Sequence, residues 1–153
     1  MVEQKLRELG LLLPEVPKPV AAYVPGVLAD GLVFTSGQLP IVNGELKYKG
    51  RLGEDLSSAN GYEAAQQCAL NCLAVIKQLA GSLNQVEKIV KVVGYVNSAP
   101  GFYEQPQVIN GASNLLGQVF GEKGLHARSA VGVSALPLNA AVELELVVKV
   151  RLT

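Results

Sequence analysis

The stretch HARSAVGVSALPLNAAVELELVVKV, residues 126–150, decides the fold. After Arg128, small and branched residues alternate as far as Val133. Leu136-Pro137-Leu138-Asn139 then reverses the chain, and Val142, Leu144, Leu146, Val148 and Val150 alternate with Glu143, Glu145, Val147 and Lys149. Apolar residues at a period of two predict strand, turn, strand. Side chains two apart share a strand face, so Glu143 and Glu145 lie together, whereas Arg128 opens a face it shares only with Ala130 and Gly132. A guanidinium beside small residues leaves room for a ligand. Its planar fork matches a carboxylate two bonds at a time, each charge-assisted bond contributing roughly 1.5–3 kcal/mol. On the residues alone, an Arg and a Glu pairing across an ordinary sheet face explains the pattern at least as well.

Upstream, Asn60 and Glu63 have capping-box spacing and open a helix that runs to about Ala80. Tyr62, Ala65, Cys68, Ala69, Cys72, Val75, Ile76 and Leu79 form its apolar stripe, which predicts a core-facing side, and Gly81 closes it. A β-rich run follows from about Ile89 to Val96, then a helical segment before His126. Further back, Asn43-Gly44 sits between Ile41-Val42 and Leu46-Lys47-Tyr48, the signature of a two-residue hairpin turn with positive φ at both positions. Leu32 to Gly37 reads as a strand ending where backbone can approach a ligand closely. Val2 to Leu9 predicts a short helix, ended by Pro14, Pro17 and Pro19 and appended to the core. The order of elements predicts an α+β domain, an antiparallel sheet with two main helices on one face.

Composition narrows the function classes. At 153 residues the chain suits a single domain, residues 1–153, and can bury a sizeable core. Thirteen basic residues balance thirteen acidic ones, leaving no electrostatic footprint for nucleic acid or an anionic membrane. No apolar run approaches the roughly 20 residues that span a bilayer, and the amino terminus lacks a signal-peptide core, so the expected location is the cytoplasm. Cys68 and Cys72 are one helical turn apart with no His or further Cys at ligand spacing, which argues for core packing and against a metal site. Only 17% of residues are charged on a chain that is 49% hydrophobic, which suggests that other subunits cover part of the surface.

The segment from Arg128 to Glu145, R-S-A-V-G-V-x-x-L-P-x-x-x-x-V-E-x-E, resembles the carboxy-terminal signature of the RidA (YjgF/YER057c/UK114) family. VFTSGQLP, residues 33–40, is nearly that family's consensus, and AVIKQLAGSLNQVEKIVKVVGYV, residues 74–96, resembles its helix, turn and strand. The likeness runs from about Tyr23 to Val150, with residues 1–19 as an amino-terminal extension and an insertion after Phe102. It implies a chorismate-mutase-like fold, a homotrimer with a pocket in each cleft between subunits, and hydrolysis of reactive 2-imino acids without a metal or organic cofactor. Carried over residue by residue, it implies that Arg128 and the Gly37 amide hold the substrate carboxylate. Glu143 would activate water, and Ser36, Tyr23 and Ala130 would line the pocket. Ala130 stands where many members have Cys. The pocket Asn falls on Asn110, with Asn114 the alternative one turn on. Two further readings share these residues: a non-catalytic trimer that binds small carboxylic acids, and an endoribonuclease or translation inhibitor, against which the neutral charge and single histidine stand. For that histidine, His126, the resemblance implies no role, which leaves an orienting or solvated imidazole.

Overall fold

The computed structural model describes residues 1–16 and 22–152, so the expected helix stops at Pro17 and Pro19, and the end of the expected extension, lie outside the described residues. The chain runs α1 (Val2–Glu8), β1 (Gly26–Ala29), β2 (Leu32–Thr35), β3 (Ile41–Val42), β4 (Glu45–Leu46), α2 (Ser58–Ala80), β5 (Val86–Asn97), α3 (Gln105–Phe120), β6 (Ala127–Val133) and β7 (Val142–Val150). Five strands form one sheet in the order β1-β2-β7-β5-β6, while β3 and β4 make a separate hairpin. That hairpin turns at Asn43 and Gly44, with φ of 52° and 78°, as the dipeptide predicts.

The sequence places strands at both ends of the 126–150 stretch, and they are there, but they are not partners. β5 lies between β6 and β7, antiparallel to β7 and parallel to β6, so the sheet is mixed rather than antiparallel. The physical reason is the helix between them. β5, α3 and β6 form a crossover in which α3 carries the chain back over the sheet, the connection that parallel neighbours require. Val86–Asn97 is long and rich in β-branched residues, which suits a strand paired on both edges.

α2 and α3 cover one face of the sheet. Val33, Val92, Val96, Leu144, Leu146 and Val148 point into them and are buried against Cys68, Leu73, Ile76, Ile109, Leu115 and Leu116. Burying each of the larger side chains contributes about 1.5–3 kcal/mol. The two helices touch closely because Gly111 has no side chain, since a Cβ there would run into the backbone carbonyl of Tyr62. Gly94 in β5 likewise leaves room for Ile109. The cap of α2 differs from the expected one. Ser57 is the N-cap, its hydroxyl accepting from the Asn60 amide while Asn60 Oδ1 accepts from the Ser57 amide at 3.0 Å, so Asn60 is the last residue of the box rather than its first. The α2 thiols are sealed under β7. Cys72 Sγ lies 3.4 Å from the Leu144 carbonyl and Cys68 Sγ 3.6 Å from that of Val142, and burial holds Cys68 well above the usual thiol range and pushes Cys72 up to about 12. α1 is more than an appendage. Leu6 is 2% exposed in the core, the Val2 amide donates to Asn84 Oδ1 at 3.1 Å, and Glu3 pairs with Lys77 at 3.3 Å.

The opposite sheet face carries no helix. It presents Val27 from β1, Phe34 from β2, Glu143, Glu145 and Val147 from β7, Tyr95 from β5 and Val131 from β6, by the register that pairs Val27 with Phe34, Phe34 with Val147, and Tyr95 with both Glu143 and Val131. Phe34 is 43% and Val131 45% exposed.

Candidate functional site

The expected site residues fall into two groups. The first lies on the uncovered face. β2 ends at Thr35, and the chain continues alongside β7, with the Gln38 amide donating to the Leu144 carbonyl at 2.8 Å and the Leu144 amide returning the bond to Gln38 at 3.0 Å. This bridge brings Gly37 directly beside Glu143, and a Cβ at position 37 would collide with the Glu143 carboxylate. Glycine here leaves the Glu143 side chain the place it occupies. The Ser36 hydroxyl donates to the Val24 carbonyl at 2.6 Å, which ties the segment bearing Tyr23 to the same corner, where Tyr23 is 66% exposed.

Partial burial, and secondarily the negative charge of Glu145, raises the Glu143 carboxyl above the usual carboxylate range. The Tyr95 hydroxyl donates to Glu145 Oε1 at 2.7 Å, and that bond, with burial and the two carboxylates, pushes Tyr95 up to about 12. Glu145 is thus engaged with a tyrosine, while Glu143 has no side-chain partner among the described residues. A half-buried, unpaired carboxylate with a raised pKa is suited to taking a proton.

The second group surrounds Arg128 on the helix-covered face, at the edge of the sheet. α3 presents a stripe spaced i, i+4, i+7: the Pro106 carbonyl, Asn110 and Ser113. Arg128 Nη1 donates to Asn110 Oδ1 at 2.8 Å and to Ser113 Oγ at 3.1 Å, and Nη2 donates to the Pro106 carbonyl at 3.3 Å. Of five guanidinium donors, three are used, leaving Nε and one Nη2 hydrogen without a partner among the described residues, enough to grip a carboxylate. Ala130 is the small neighbour two residues along the same face. Asn110 is the amide on the arginine, whereas Asn114 donates to Tyr62 Oη at 3.0 Å. His126 joins through Ser113, 2.8 Å from its Nε2.

Within one chain the two groups do not meet. Val92 registers with Arg128 and with Leu146, and all three point to the helices, whereas Glu143 and its register partner Tyr95 point to the other face. Two residues of the Arg128 cluster escape a reading of the sequence: Ser113 and the Pro106 carbonyl. Their helical spacing with Asn110 is legible once the start of α3 is known, but the irregular turn from Ser98 to Glu104 conceals that start. Among the described residues, no three His, Cys, Asp or Glu gather as metal ligands and no helix is long and apolar enough to cross a membrane.

Residues 3–150 match the family model described as "YjgF/chorismate_mutase-like, putative endoribonuclease". Protein TCP17 of Trypanosoma cruzi is 41% identical over 151 residues, covering 98% of this chain and 94% of that protein. A protein of Dermatophagoides farinae named 2-iminobutanoate/2-iminopropanoate deaminase is 28% identical over 138 residues, covering 90% and 93%. Among solved structures, protein Atu1372 of Agrobacterium tumefaciens, of unknown function, has a TM-score of 0.92 at 44% identity, covering 98% of this chain and 92% of the other.

Proposed function

The chain belongs to the YjgF/chorismate-mutase-like family, and on that premise we propose that it hydrolyses reactive 2-imino acids and their enamines to 2-oxo acids and ammonia, as a homotrimer whose sites lie between subunits. The observation that carries the reading is the pair of half-sites. One is a guanidinium oriented by α3 with two donors free. The other is an unpaired carboxylate of raised pKa beside a glycine backbone. Because these lie on opposite faces of one sheet, a complete pocket needs Arg128, Asn110 and Ala130 of one subunit against Ser36, Gly37 and Glu143 of the next. The uncovered sheet face, with exposed Val27, Phe34 and Val131, supplies an apolar surface for that association.

Arg128 binds the substrate carboxylate, which fixes the adjacent C=N carbon near Glu143. Glu143 takes a proton from water as the water oxygen bonds to that carbon and the C=N pair moves to nitrogen, which is protonated. The resulting carbinolamine then loses its hydroxyl proton as the C–N bond breaks and ammonia departs, so imine plus water gives 2-oxo acid plus ammonia. An enamine first takes a proton on its β-carbon. Proton transfer of this kind typically contributes roughly 10²- to 10⁴-fold in rate. The Dermatophagoides farinae relative named 2-iminobutanoate/2-iminopropanoate deaminase supports this substrate class.

The test adds purified protein to a serine or threonine dehydratase assay and follows pyruvate or 2-oxobutanoate release. Acceleration by wild type that is lost in Arg128→Ala and Glu143→Gln is expected. A wild type that binds 2-oxobutanoate without accelerating release supports a carboxylate-binding module instead.

A further inference from the structure

His126 is the chain's one histidine, and its surroundings fix how it is protonated. Nδ1 is 2.6 Å from the Gly124 carbonyl, which can only accept, so Nδ1 carries the hydrogen. In the neutral ring Nε2 is then an acceptor, and the Ser113 hydroxyl at 2.8 Å donates to it. With its hydrogen committed to the imidazole, Ser113 Oγ turns its lone pairs to Arg128 Nη1, 3.1 Å away. The chain of bonds runs from guanidinium to hydroxyl to imidazole to the carbonyl of the 3₁₀ turn Gly121–Gly124, each donor meeting one acceptor. Asn114, Gly117 and Leu125 join these side chains around a concavity of about 480 Å³ that opens beside Arg128.

The geometry points to His126 as a positioning residue of the Arg128 carboxylate site, acting through Ser113. The inference rests on the carboxylate-binding reading above and deepens it. By accepting from the Ser113 hydroxyl, His126 orients the serine so that it anchors Nη1.

The experiment measures 2-oxobutanoate affinity by calorimetry at pH 8 in wild type, His126→Gln, His126→Phe, Ser113→Ala and the Ser113→Ala/His126→Phe double variant. His126→Gln, whose amide oxygen can accept from Ser113, should keep wild-type affinity. His126→Phe and Ser113→Ala should each weaken binding about five-fold, the size of one net hydrogen bond, and the double variant should be no worse than either alone. Additive losses, or a His126→Gln variant as weak as His126→Phe, would overturn the proposal. A second measurement needs no ligand: ¹⁵N NMR of the single imidazole should report the Nδ1–H tautomer at pH 8, and an Nε2–H tautomer overturns the relay. If wild type binds no 2-oxobutanoate, the carboxylate site itself falls, and the tautomer separates that failure from failure of the relay.

Discussion

Mixing two inactive variants is the sharpest test of the divided site. Arg128 and Glu143 lie on opposite faces of one sheet, so in the proposed trimer each pocket would take its arginine from one subunit and its acid from the next. Arg128→Ala and Glu143→Gln homotrimers should each be inactive. When the two are unfolded together at equal concentration and refolded, or co-expressed with different tags, random assembly gives about three-quarters mixed trimers, by the arithmetic of a closed three-membered ring. Going round a mixed ring of either composition, an Arg128-bearing subunit meets a Glu143-bearing one at a single junction, so one pocket of three is whole. The pooled sample should therefore recover about a quarter of wild-type turnover, and tag-purified mixed trimers about a third. The assay is 2-oxobutanoate release in the coupled dehydratase reaction, with subunit exchange verified by native mass spectrometry. Mixed trimers with no more activity than either parent would refute the argument from sheet faces, because a pocket built within one subunit gains nothing from mixing.

Further consequences follow from single contacts. Gly37→Ala should drive the Glu143 carboxylate from its place and lower kcat at least roughly ten-fold with little change in Tm, since misplacing a reacting group is costly even when the fold is intact. Gly111→Ala forces a methyl group into the backbone of Tyr62 and should destabilise by about 3 kcal/mol, the upper part of the overpacking range, read as a lower urea midpoint. The folded chain raises the Glu143 pKa, so the native state holds that proton more tightly than the unfolded one, and ionised Glu143 opposes folding above the raised value. Glu143→Gln should accordingly raise Tm at pH 7–8, with the difference closing as pH falls to about 4, near the unperturbed carboxyl range; an equal difference at both ends contradicts the assigned shift. The same titration protonates the proposed base, so turnover in the proposed reaction should decline on the acid side while 2-oxobutanoate still binds.

Much of the architecture is legible before any coordinates because the signals are local. The period of two in Val142–Val150, the stripe of α2 and the Asn43-Gly44 turn each need only a few neighbouring residues, and each is found where the pattern puts it, except that Tyr62 at the start of the stripe is 37% exposed, with its hydroxyl accepting from Asn114, rather than in the core. Strand order is not local. Nothing between Val133 and Val142 reveals that β5 separates the two strands, because the short connection suits a hairpin as well as a step across one strand. The Gly37–Glu143 group is readable for the same reason as the strands, since T-S-G-Q and V-E-L-E are compact motifs, and Arg128 is readable at the head of R-S-A-V-G-V. Ser113 is missed because it belongs to no motif and matters only through its place on a helix whose start is hidden by an irregular turn. His126 is visible as a lone imidazole, but its engagement with Ser113 depends on how α3 docks against β6.

Cys68 and Cys72 supply a measurement that needs no mutation. A thiol attacks alkylating reagents only as the thiolate, and these two are screened from solvent with ionisation displaced far to the alkaline side, so the native chain should resist iodoacetamide at pH 8. Labelling must then wait for α2 to lift away from β7. Its rate across a denaturant series, read by mass spectrometry as one or two added groups, would time that opening and distinguish local separation of the helix from collapse of the whole domain.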